Sequence, residues 1–273
     1  MTEKPQFRFS SATVVAAYDK FLVPRLFIPW GKKLLEKMAL QPGERLLDIA
    51  CGPGTLSRLA SEGLGASGYI LAADISPAMI AIAKEKTNSP GATIEYVESP
   101  AAPLNAPSGA FDVVVCQQGL QFFPEQAEAM QEMKRALKPG GRIGIAVWTG
   151  MDQNPLFHIY LTALNAIEAP DEIVKMVPAP FSFGPASKLT ELFQQAGFSD
   201  LTISTESLPL TFEGGIEQVI ESVAATPFSP LIYELPAIQK DAFFSHLRES
   251  LKKYVVGDAV VTPMVSYIAL ARG

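Results

Sequence analysis

A buried strand that breaks into a glycine turn constrains the fold of this chain more than any other feature. Residues 47–54 read Leu-Asp-Ile-Ala-Cys-Gly-Pro-Gly, and Asp74 ends a second apolar strand further along the chain. Glycines at positions 52 and 54 leave no Cβ between the backbone and a ligand, and a carboxylate at a strand end accepts hydrogen bonds from both hydroxyls of a ribose. The pattern predicts a nucleoside pocket.

The turn departs from the dinucleotide-binding fingerprint G-x-G-x-x-G, whose third glycine lies beside a pyrophosphate. Ser57 occupies the place of that third glycine. The chain instead has Asp48 ahead of Gly52, an acid that either hydrogen-bonds within the turn or binds the ammonium of an amino-acid tail. A cationic ligand without phosphate is favoured, and a nicotinamide-dependent oxidoreductase stays as the alternative.

Apolar runs rich in Ile, Val and Leu alternate with helical periods from residue 44 to residue 148. The predicted strands are Glu44–Ala50, Tyr69–Ile75, Ile94–Val97, Asp112–Gln117 and Arg142–Trp148. The predicted helices between them are Thr55–Leu64, Pro77–Thr87 and Glu125–Leu137, with Thr55 and Ser76 as the expected N-caps of the first two. Such alternation predicts an α/β fold with a doubly wound, Rossmann-like parallel sheet.

Ligands bind outside the carboxyl ends of the strands in such a sheet. The segments Asp48–Gly54, Asp74, Glu98 and Cys116–Gln121 all fall at those ends. We therefore expect four separate segments to converge on one rim.

Residues 153–186 interrupt the alternation with a predicted helix, Phe157–Ala166, and a proline-rich stretch. Later elements are the helices Ser187–Gly197, Ile216–Ala225 and Lys240–Tyr254 and the strands Leu201–Leu210 and Val260–Ala271; Val14–Met38 is mostly helical. The expected organisation is a single domain over residues 1–273, divided into an N-terminal helical cap (1–39), a cofactor-binding core (40–150), a lid insertion (151–186) and late strands (187–273) with inserted helices at 211–257.

Charge and composition exclude several classes of partner. The net charge is −6, and the Lys and Arg residues are scattered, which argues against a nucleic-acid substrate. No uncharged apolar run approaches the ~20 residues of a membrane span, and Met1–Ser10 reads as neither a secretory signal nor an anchor. Cys51 and Cys116 are too few for a disulfide framework or a metal site. A soluble, cytoplasmic protein with an apolar binding cavity is expected.

The run LLDIACGPGT, with ILAADISPAMIAIA and FDVVVCQQGLQFFPEQAEAMQEMKRALKPGGRIGIAVW, resembles the class I S-adenosylmethionine-dependent methyltransferases. More narrowly, it is similar to the small-molecule branch, methyltransferase type 11, that includes the ubiquinone and menaquinone biosynthesis C-methyltransferases. The resemblance covers Pro42–Trp148. It implies a seven-stranded mixed sheet in the order 3-2-1-4-5-7-6, S-adenosylmethionine as cofactor with S-adenosylhomocysteine as product, and no metal.

The residues and the resemblance together give a predicted cofactor site. Asp74 is the predicted ribose ligand because Ser76 already supplies the helix N-cap. The resemblance implies that Glu98 binds the adenine amino group and that the Ser99 amide donates to the ring, although the family usually has Asp-Ala there and a longer Glu leaves a simple rim position open. It also implies that the end of the fourth strand contacts the methionine portion. The complete predicted set is Asp48, Gly52, Gly54, Thr55, Asp74, Ile75, Glu98, Ser99, Cys116 and Gln117.

Methyl transfer is an in-line displacement at a sulfonium, so it needs alignment and desolvation more than a strong electrophile. Three side chains are candidates for substrate contact or proton removal. Gln121 follows the fourth strand, with a solvated loop amide as the alternative; His158 lies in the inserted helix, with a surface or core histidine as the alternative. Tyr18 matches the family's Ala-Tyr-Asp entry segment, with packing as the alternative.

The substrate class is predicted only in outline. The fourth strand end has neither Asn-Pro-Pro-Tyr nor Asp-Pro-Pro-Tyr, which argues against an amino-methylating nucleic-acid enzyme, and no Asp there supplies a magnesium ligand. Aromatic residues on the cap, rim and insertion favour an apolar or aromatic acceptor, although most aromatic side chains simply pack; these residues are Phe27, Trp30, Phe122, Phe123, Phe157, Phe181 and Phe183. A non-catalytic methyltransferase-like binding protein is the second alternative.

Overall fold

The structure is a computed structural model that describes residues 12–86 and 90–273. Within those ranges the chain forms one sheet of eight strands. The strands are β1 (Arg45–Ile49), β2 (Tyr69–Asp74), β3 (Thr93–Glu98), β4 (Phe111–Gln117), β5 (Leu137–Trp148), β6 (Ser199–Phe212), β7 (Val255–Val256) and β8 (Ala259–Arg272). The prediction made for Met1–Ser10 lies outside the described residues.

Eleven α-helices surround these strands in the described part of the chain. They are α1 (Ala12–Ala17), α2 (Ile28–Met38), α3 (Thr55–Leu64), α4 (Pro77–Glu85), α5 (Gln126–Ala136), α6 (Pro155–Ala166), α7 (Asp171–Met176), α8 (Ala186–Gln195), α9 (Gly215–Ser222), α10 (Ser229–Glu234) and α11 (Ala237–Leu251). A π-helical segment, Tyr18–Phe27, joins α1 to α2. None of the described helices is long and apolar enough to cross a membrane.

The strand order is β3-β2-β1-β4-β5-β8-β6, and β7 pairs with β8 alone. Strands β1 to β5 pair in parallel, whereas β7 is antiparallel to β8, so the sheet is mixed. The order of the seven long strands confirms the predicted Rossmann-like fold. The predicted count of seven is corrected to eight, because the two-residue strand β7 is too short to leave an alternating pattern in the sequence.

The described residues divide into two compact units. The first contains residues 12–26, Trp148–Gly184 and Ser207–Val265, and the second contains Phe27–Val147, Pro185–Glu206 and Ser266–Gly273. The second unit includes almost all of the predicted core at 40–150, and the first includes nearly all of the predicted lid insertion and the inserted helices. The single-domain organisation, with its cap and lid, stays a prediction.

The core of the second unit explains why its central strands read as continuous apolar runs. Leu46 and Leu47 in β1 and residues 113–116 in β4 are fully buried. Strands covered by helices on both faces have no solvent-facing side, so alternation with polar residues disappears. Helix α3 presents Leu56, Ala60 and Leu64 to this core, at the spacing of one helix face.

Several boundaries differ from the predicted ones. Helix α4 ends at Glu85, and Thr87, the predicted end, lies outside the described residues. Strand β5 starts at Leu137 because that residue pairs with Phe111 ahead of the regular ladder. The short helices α7 and α10 have too few residues to establish a helical period, and the sequence did not reveal them.

Candidate active site

Three of the predicted segments meet around Asp74 in the second unit. The Gly52 amide donates to Asp74 Oδ2 at 2.9 Å, and the Ser99 amide donates to the Asp74 carbonyl at 2.9 Å. Asp74 is also the register partner of Glu98 between β2 and β3. The glycine turn, the end of β2 and the end of β3 therefore form one rim, as the positions of the strand ends predict.

The two glycines of the turn serve different purposes. Both have left-handed backbones, with φ 55° at Gly52 and φ 73° at Gly54. A Cβ at Gly52 would have no heavy atom within 4 Å, whereas a Cβ at Gly54 would lie 2.7 Å from Tyr96 and from Arg58 Nη1. Gly52 thus leaves open space at the rim. The side chains of Tyr96 and Arg58 occupy the space beside Gly54, and its cofactor-binding role stays a prediction.

Arg58 and Tyr96 support the glycine turn through hydrogen bonds and packing. Neither residue was identified from the sequence. Arg58 Nη2 donates to the Pro53 carbonyl at 2.6 Å, and Arg58 Nη1 donates to the Tyr96 hydroxyl at 3.2 Å. One guanidinium thereby connects the turn to β3. Neither residue lies in a recognisable motif, so only the three-dimensional proximity reveals the link.

Asp48 is buried, with 1% of its surface exposed. Its Oδ2 accepts a hydrogen bond from Ser57 Oγ at 2.6 Å. The pKa of the Asp48 carboxyl is raised from 3.8 to about 7, chiefly by burial and also by the nearby Asp74 carboxylate, against the lowering effect of the Ser57 hydrogen bond. Ser57, which replaces the third glycine of the dinucleotide fingerprint, thus stabilises the acid that distinguishes this turn.

Asp74 connects the glycine turn to helix α4. Its Oδ1 accepts from the Ser76 amide at 2.8 Å, and Ser76 Oγ accepts from the Met79 amide at 3.3 Å, so Ser76 is the N-cap that the sequence predicts. Burial raises the pKa of Asp74, against two backbone hydrogen bonds that lower it. Ile75, beside it, is 60% exposed and offers an apolar surface at the rim.

Glu98 and Ser99 have opposite environments at the end of β3. The Glu98 side chain is exposed, and Ser99 is buried. Ser99 Oγ accepts from the Asn105 amide at 2.8 Å and donates to the Pro100 carbonyl at 2.9 Å, which fixes the loop after β3. An exposed carboxylate and an ordered backbone are both compatible with the predicted adenine contact, and the roles of these two residues stay predictions.

Thr55 is not the helix N-cap that the sequence predicted. Gly54, in a left-handed conformation, is the N-cap of α3. Thr55 is therefore already the first residue of the helix. Thr55 Oγ1 is buried and, within the described residues, has no hydrogen-bond partner. This orphaned hydroxyl, the open space at Gly52 and the Asp74 carboxylate fit a polar ligand seated on the turn.

Gln117 is the last residue of β4, and Gln118 and Gln121 follow it in the second unit. Gln117 Nε2 donates to the Phe27 carbonyl at 2.8 Å, and Cys116 is fully buried. A Cβ at Gly119 would lie 2.6 Å from the Ala50 Cβ, so the turn after β4 packs directly against the glycine turn. Gln121 is only 7% exposed, which excludes the alternative of a solvated amide.

Tyr18 and His158 belong to the first unit. Tyr18 is half-buried at the start of the π-helical segment, and His158 is exposed on α6. His158 lines an open concavity of about 460 Å³ together with Thr162 of α6 and with Lys252 and Lys253, which follow α11. Their catalytic roles stay predictions.

The thiols of both cysteines are buried and free. Burial raises the pKa of the Cys116 thiol to about 12 and raises that of Cys51 well above its usual value, so both thiols stay protonated at neutral pH. Within the ranges 12–86 and 90–273, no three His, Cys, Asp or Glu side chains are grouped closely enough to hold a metal ion.

Comparison with known proteins agrees with this geometry. A family model described as a methyltransferase domain matches residues 47–145. The demethylmenaquinone methyltransferase of Staphylococcus saprophyticus is 28% identical over 197 residues, which are 68% of this chain and 81% of that protein.

Two solved structures share the fold. Phosphoethanolamine N-methyltransferase 2 of Haemonchus contortus, bound to S-adenosylhomocysteine, aligns with a TM-score of 0.58 at 18% identity and covers 94% of this chain and 56% of that chain. The YcgJ protein of Bacillus subtilis aligns with a TM-score of 0.57 at 16% identity, covering 89% of this chain and 98% of that chain.

Residues 47–145 match a methyltransferase domain, and the strand order and the glycine turn, with an acid before the turn and another at the next strand end, are similar to those of the class I S-adenosylmethionine-dependent methyltransferases. Within that class, the chain is related to the demethylmenaquinone methyltransferases. The methyl donor that this similarity implies is S-adenosylmethionine.

Proposed function

We propose that this enzyme methylates a small, apolar or aromatic organic acceptor at carbon, oxygen or nitrogen by in-line displacement. The observation that carries the proposal is the rim on which Asp74 joins the glycine turn to the ends of β2 and β3 through the amides of Gly52 and Ser99. The aromatic residues of the cap, rim and insertion favour an acceptor without charge.

The chain offers a polar group for each end of the donor. Asp74 accepts hydrogen bonds from the ribose hydroxyls, with Ile75 and Glu98–Ser99 beside the adenine. Asp48, which accepts from Ser57 of α3, and the orphaned hydroxyl of Thr55, at the start of α3, receive the amino-acid tail. Cys116 and Gln117, at the end of β4, contact the methionine portion.

When bound, the donor supplies a methyl group whose bond to sulfur breaks as the acceptor atom forms its new bond, and the electron pair stays on sulfur as a neutral thioether. The protein therefore has to orient the acceptor, exclude water and, for a hydroxyl or amine, remove one proton. Gln121 is the proposed polar contact to the acceptor, and Tyr18 and His158 are the proposed proton acceptors or donors.

The relatives suggest a first acceptor to test. Demethylmenaquinone is the compound for which they are named, and its reduced hydroquinone form is an apolar, electron-rich aromatic ring with two hydroxyl groups that matches the proposed class. Incubation with S-adenosylmethionine and a panel that includes this hydroquinone under reducing conditions, simple phenols and aromatic amines should release S-adenosylhomocysteine with at least one of them.

The same assay distinguishes the remaining alternative. Tight binding of S-adenosylmethionine with no methyl transfer to any member of the panel would support a methyltransferase-like binding protein instead. If His158→Ala and Tyr18→Phe both keep full turnover, the enzyme works by proximity and desolvation without either side chain.

A further inference from the structure

Three buried polar side chains, joined by hydrogen bonds, connect the turn after β4 to β8. Gln118 and Gln121 lie on the turn, and Ser266 lies in β8; Gln118 is 4% exposed and Ser266 is fully buried. Gln118 Nε2 lies 3.0 Å from Ser266 Oγ, and Gln121 Nε2 lies 3.4 Å from Gln118 Oε1. Gln121 Oε1 is buried and has no partner among the described residues.

Two backbone carbonyls determine which atom donates and which accepts in each of these side-chain hydrogen bonds. A serine hydroxyl has one hydrogen, and Ser266 Oγ lies 2.8 Å from the Val147 carbonyl and 3.1 Å from the Tyr267 carbonyl, both of which only accept. The Ser266 hydrogen is therefore committed to a carbonyl. Gln118 must donate its amide NH₂ to Ser266, and its own carbonyl oxygen is left facing Gln121.

The same reasoning fixes Gln121. Because Gln118 presents an oxygen, Gln121 must present its NH₂ to Gln118, and the atom left over is the carbonyl oxygen Oε1. A buried acceptor without a donor is unfavourable, so a hydrogen-bond donor placed at this oxygen would bind there favourably. The position is also informative, since the neighbouring Gly119 packs against Ala50 at the start of the glycine turn.

We propose that Gln121 Oε1 accepts a hydrogen bond from a hydroxyl or N–H group on the methyl acceptor, and that Gln118 and Ser266 are positioning residues that leave this oxygen, and not the NH₂ of Gln121, available to the acceptor. The inference rests on the proposed function, because it takes the turn after β4 as part of the acceptor site. It deepens that function by making the acceptor a hydrogen-bond donor and by disfavouring ethers and other compounds that only accept.

The test compares two probes that differ in this one property. The full-length protein, saturated with S-adenosylhomocysteine, is titrated with 2-naphthol, which donates, and with 2-methoxynaphthalene, which only accepts. The wild type should bind 2-naphthol about tenfold more tightly, the usual effect of one hydrogen bond to a buried group. Gln121→Leu should remove this preference without weakening the binding of the ether.

Ser266→Ala tests the positioning role. Without the serine hydroxyl, the Gln118 amide can turn over and Gln121 can present either its oxygen or its NH₂, so the binding preference should fall to about twofold or less, chiefly because the ether binds better. Ser61→Ala is the matched control: Ser61 is equally buried in the same unit, donates to the Ala92 carbonyl at 3.1 Å, and should leave the preference unchanged.

Two results would overturn the inference. One is a wild type that does not prefer 2-naphthol, whether it binds both probes equally or neither. The other is a preference that survives in Gln121→Leu. The preceding titration with S-adenosylhomocysteine keeps failures separate, because absence of product binding contradicts the donor site, whereas normal product binding without discrimination contradicts only the role of Gln121.

Discussion

Asp48 lies in β1, just before the glycine turn, and has a raised pKa. Its pKa is about 7 in the folded protein, against 3.8 for an ordinary aspartate, because its carboxyl is buried. A raised pKa means that the folded state holds the proton more tightly than the unfolded chain does. Stability is therefore lost as the pH rises from about 4 to about 7, and the loss is constant above that.

Replacement of Asp48 by Asn should raise the free energy of unfolding at pH 8, by an amount on the order of a few kcal/mol, because no charge is then buried. The gain over the wild type should shrink as the pH falls from about 7 to about 4. Urea unfolding at several pH values measures both quantities. An equal stability of the two proteins at pH 8 would contradict the raised pKa.

Donor binding should show the opposite pH dependence. An ammonium group prefers the ionised carboxylate, so the affinity of the wild type for S-adenosylmethionine should fall as the pH drops below about 7, by up to tenfold per pH unit. Asp48→Asn should bind more weakly at pH 8 and lack this slope. If the variant keeps both the affinity and the slope, Asp48 is only a structural acid.

Asp74 should be needed for donor affinity. The Asp74→Ala substitution removes the carboxylate offered to the ribose and the acceptor of the Gly52 amide, and we expect a loss of about tenfold to a hundredfold in S-adenosylmethionine affinity. Asp112→Ala is the control, because Asp112 binds Lys138 at the opposite, amino-terminal end of β4. It should lower stability and keep affinity within about twofold; a similar affinity for wild type and Asp74→Ala would remove Asp74 from the site.

The sequence identified single residues only where a local pattern isolates them. Asp74 and Ser76 follow an apolar strand and precede a helix, so their positions are readable. The packing at Gly54 depends on Tyr96, about forty residues away along the chain. The orientation of the Gln121 side-chain amide depends on Ser266 in the last strand. Such distant partners leave no local signal.

At the scale of elements, the turn after β4 is closely packed against the glycine turn. Gly119 has an ordinary negative φ, so a larger residue there would be excluded by space alone; its Cβ would lie 2.6 Å from the Ala50 Cβ and 2.9 Å from Cys116 Sγ. The glycine turn and the turn after β4 are thus held in contact by the absence of one methyl group.

Gly119→Ala should therefore destabilise the protein by about 1–3 kcal/mol, the usual cost of overpacking, and weaken S-adenosylmethionine binding by moving the glycine turn. Gly63→Ala is the matched control. Gly63 is exposed in α3, and its added Cβ would come no closer than 3.9 Å to Leu40, so helix propensity should stabilise that variant by about 0.5–1 kcal/mol. Thermal unfolding and donor titration of both proteins check the pair, and an unperturbed Gly119→Ala would show that the two turns are not in tight contact.

Elements with long, regular patterns were predicted well, and irregular ones were not. The predicted bounds of α3 match the structure at both ends, and β6 and β8 extend the predicted strands by only one or two residues at each end. The predicted helix over Val14–Met38 contains a π-helical stretch instead of a continuous α-helix. Pro24 lies inside that stretch and lacks the amide hydrogen that regular α-helical bonding requires.

At the scale of the whole molecule, the sheet order was predictable through the family resemblance, but the two compact units were not. Three of their five boundaries fall inside strands: in β5 between Val147 and Trp148, in β6 between Glu206 and Ser207, and in β8 between Val265 and Ser266. A single strand with one hydrophobic pattern carries no mark where it passes from one compact unit to the next. Composition and periodicity therefore gave the core at residues 40–150 and only the approximate extent of the rest.

The central claim is that the rim around Asp48, Gly52 and Asp74 binds an adenosyl group attached to a methionine tail. Isothermal titration of the folded protein with S-adenosylhomocysteine and with NAD, at two temperatures so that a near-zero enthalpy is not mistaken for no binding, tests it most directly. We predict saturable one-to-one binding of S-adenosylhomocysteine and no binding of NAD. Binding of NAD, or no heat with S-adenosylhomocysteine at either temperature, would contradict the account.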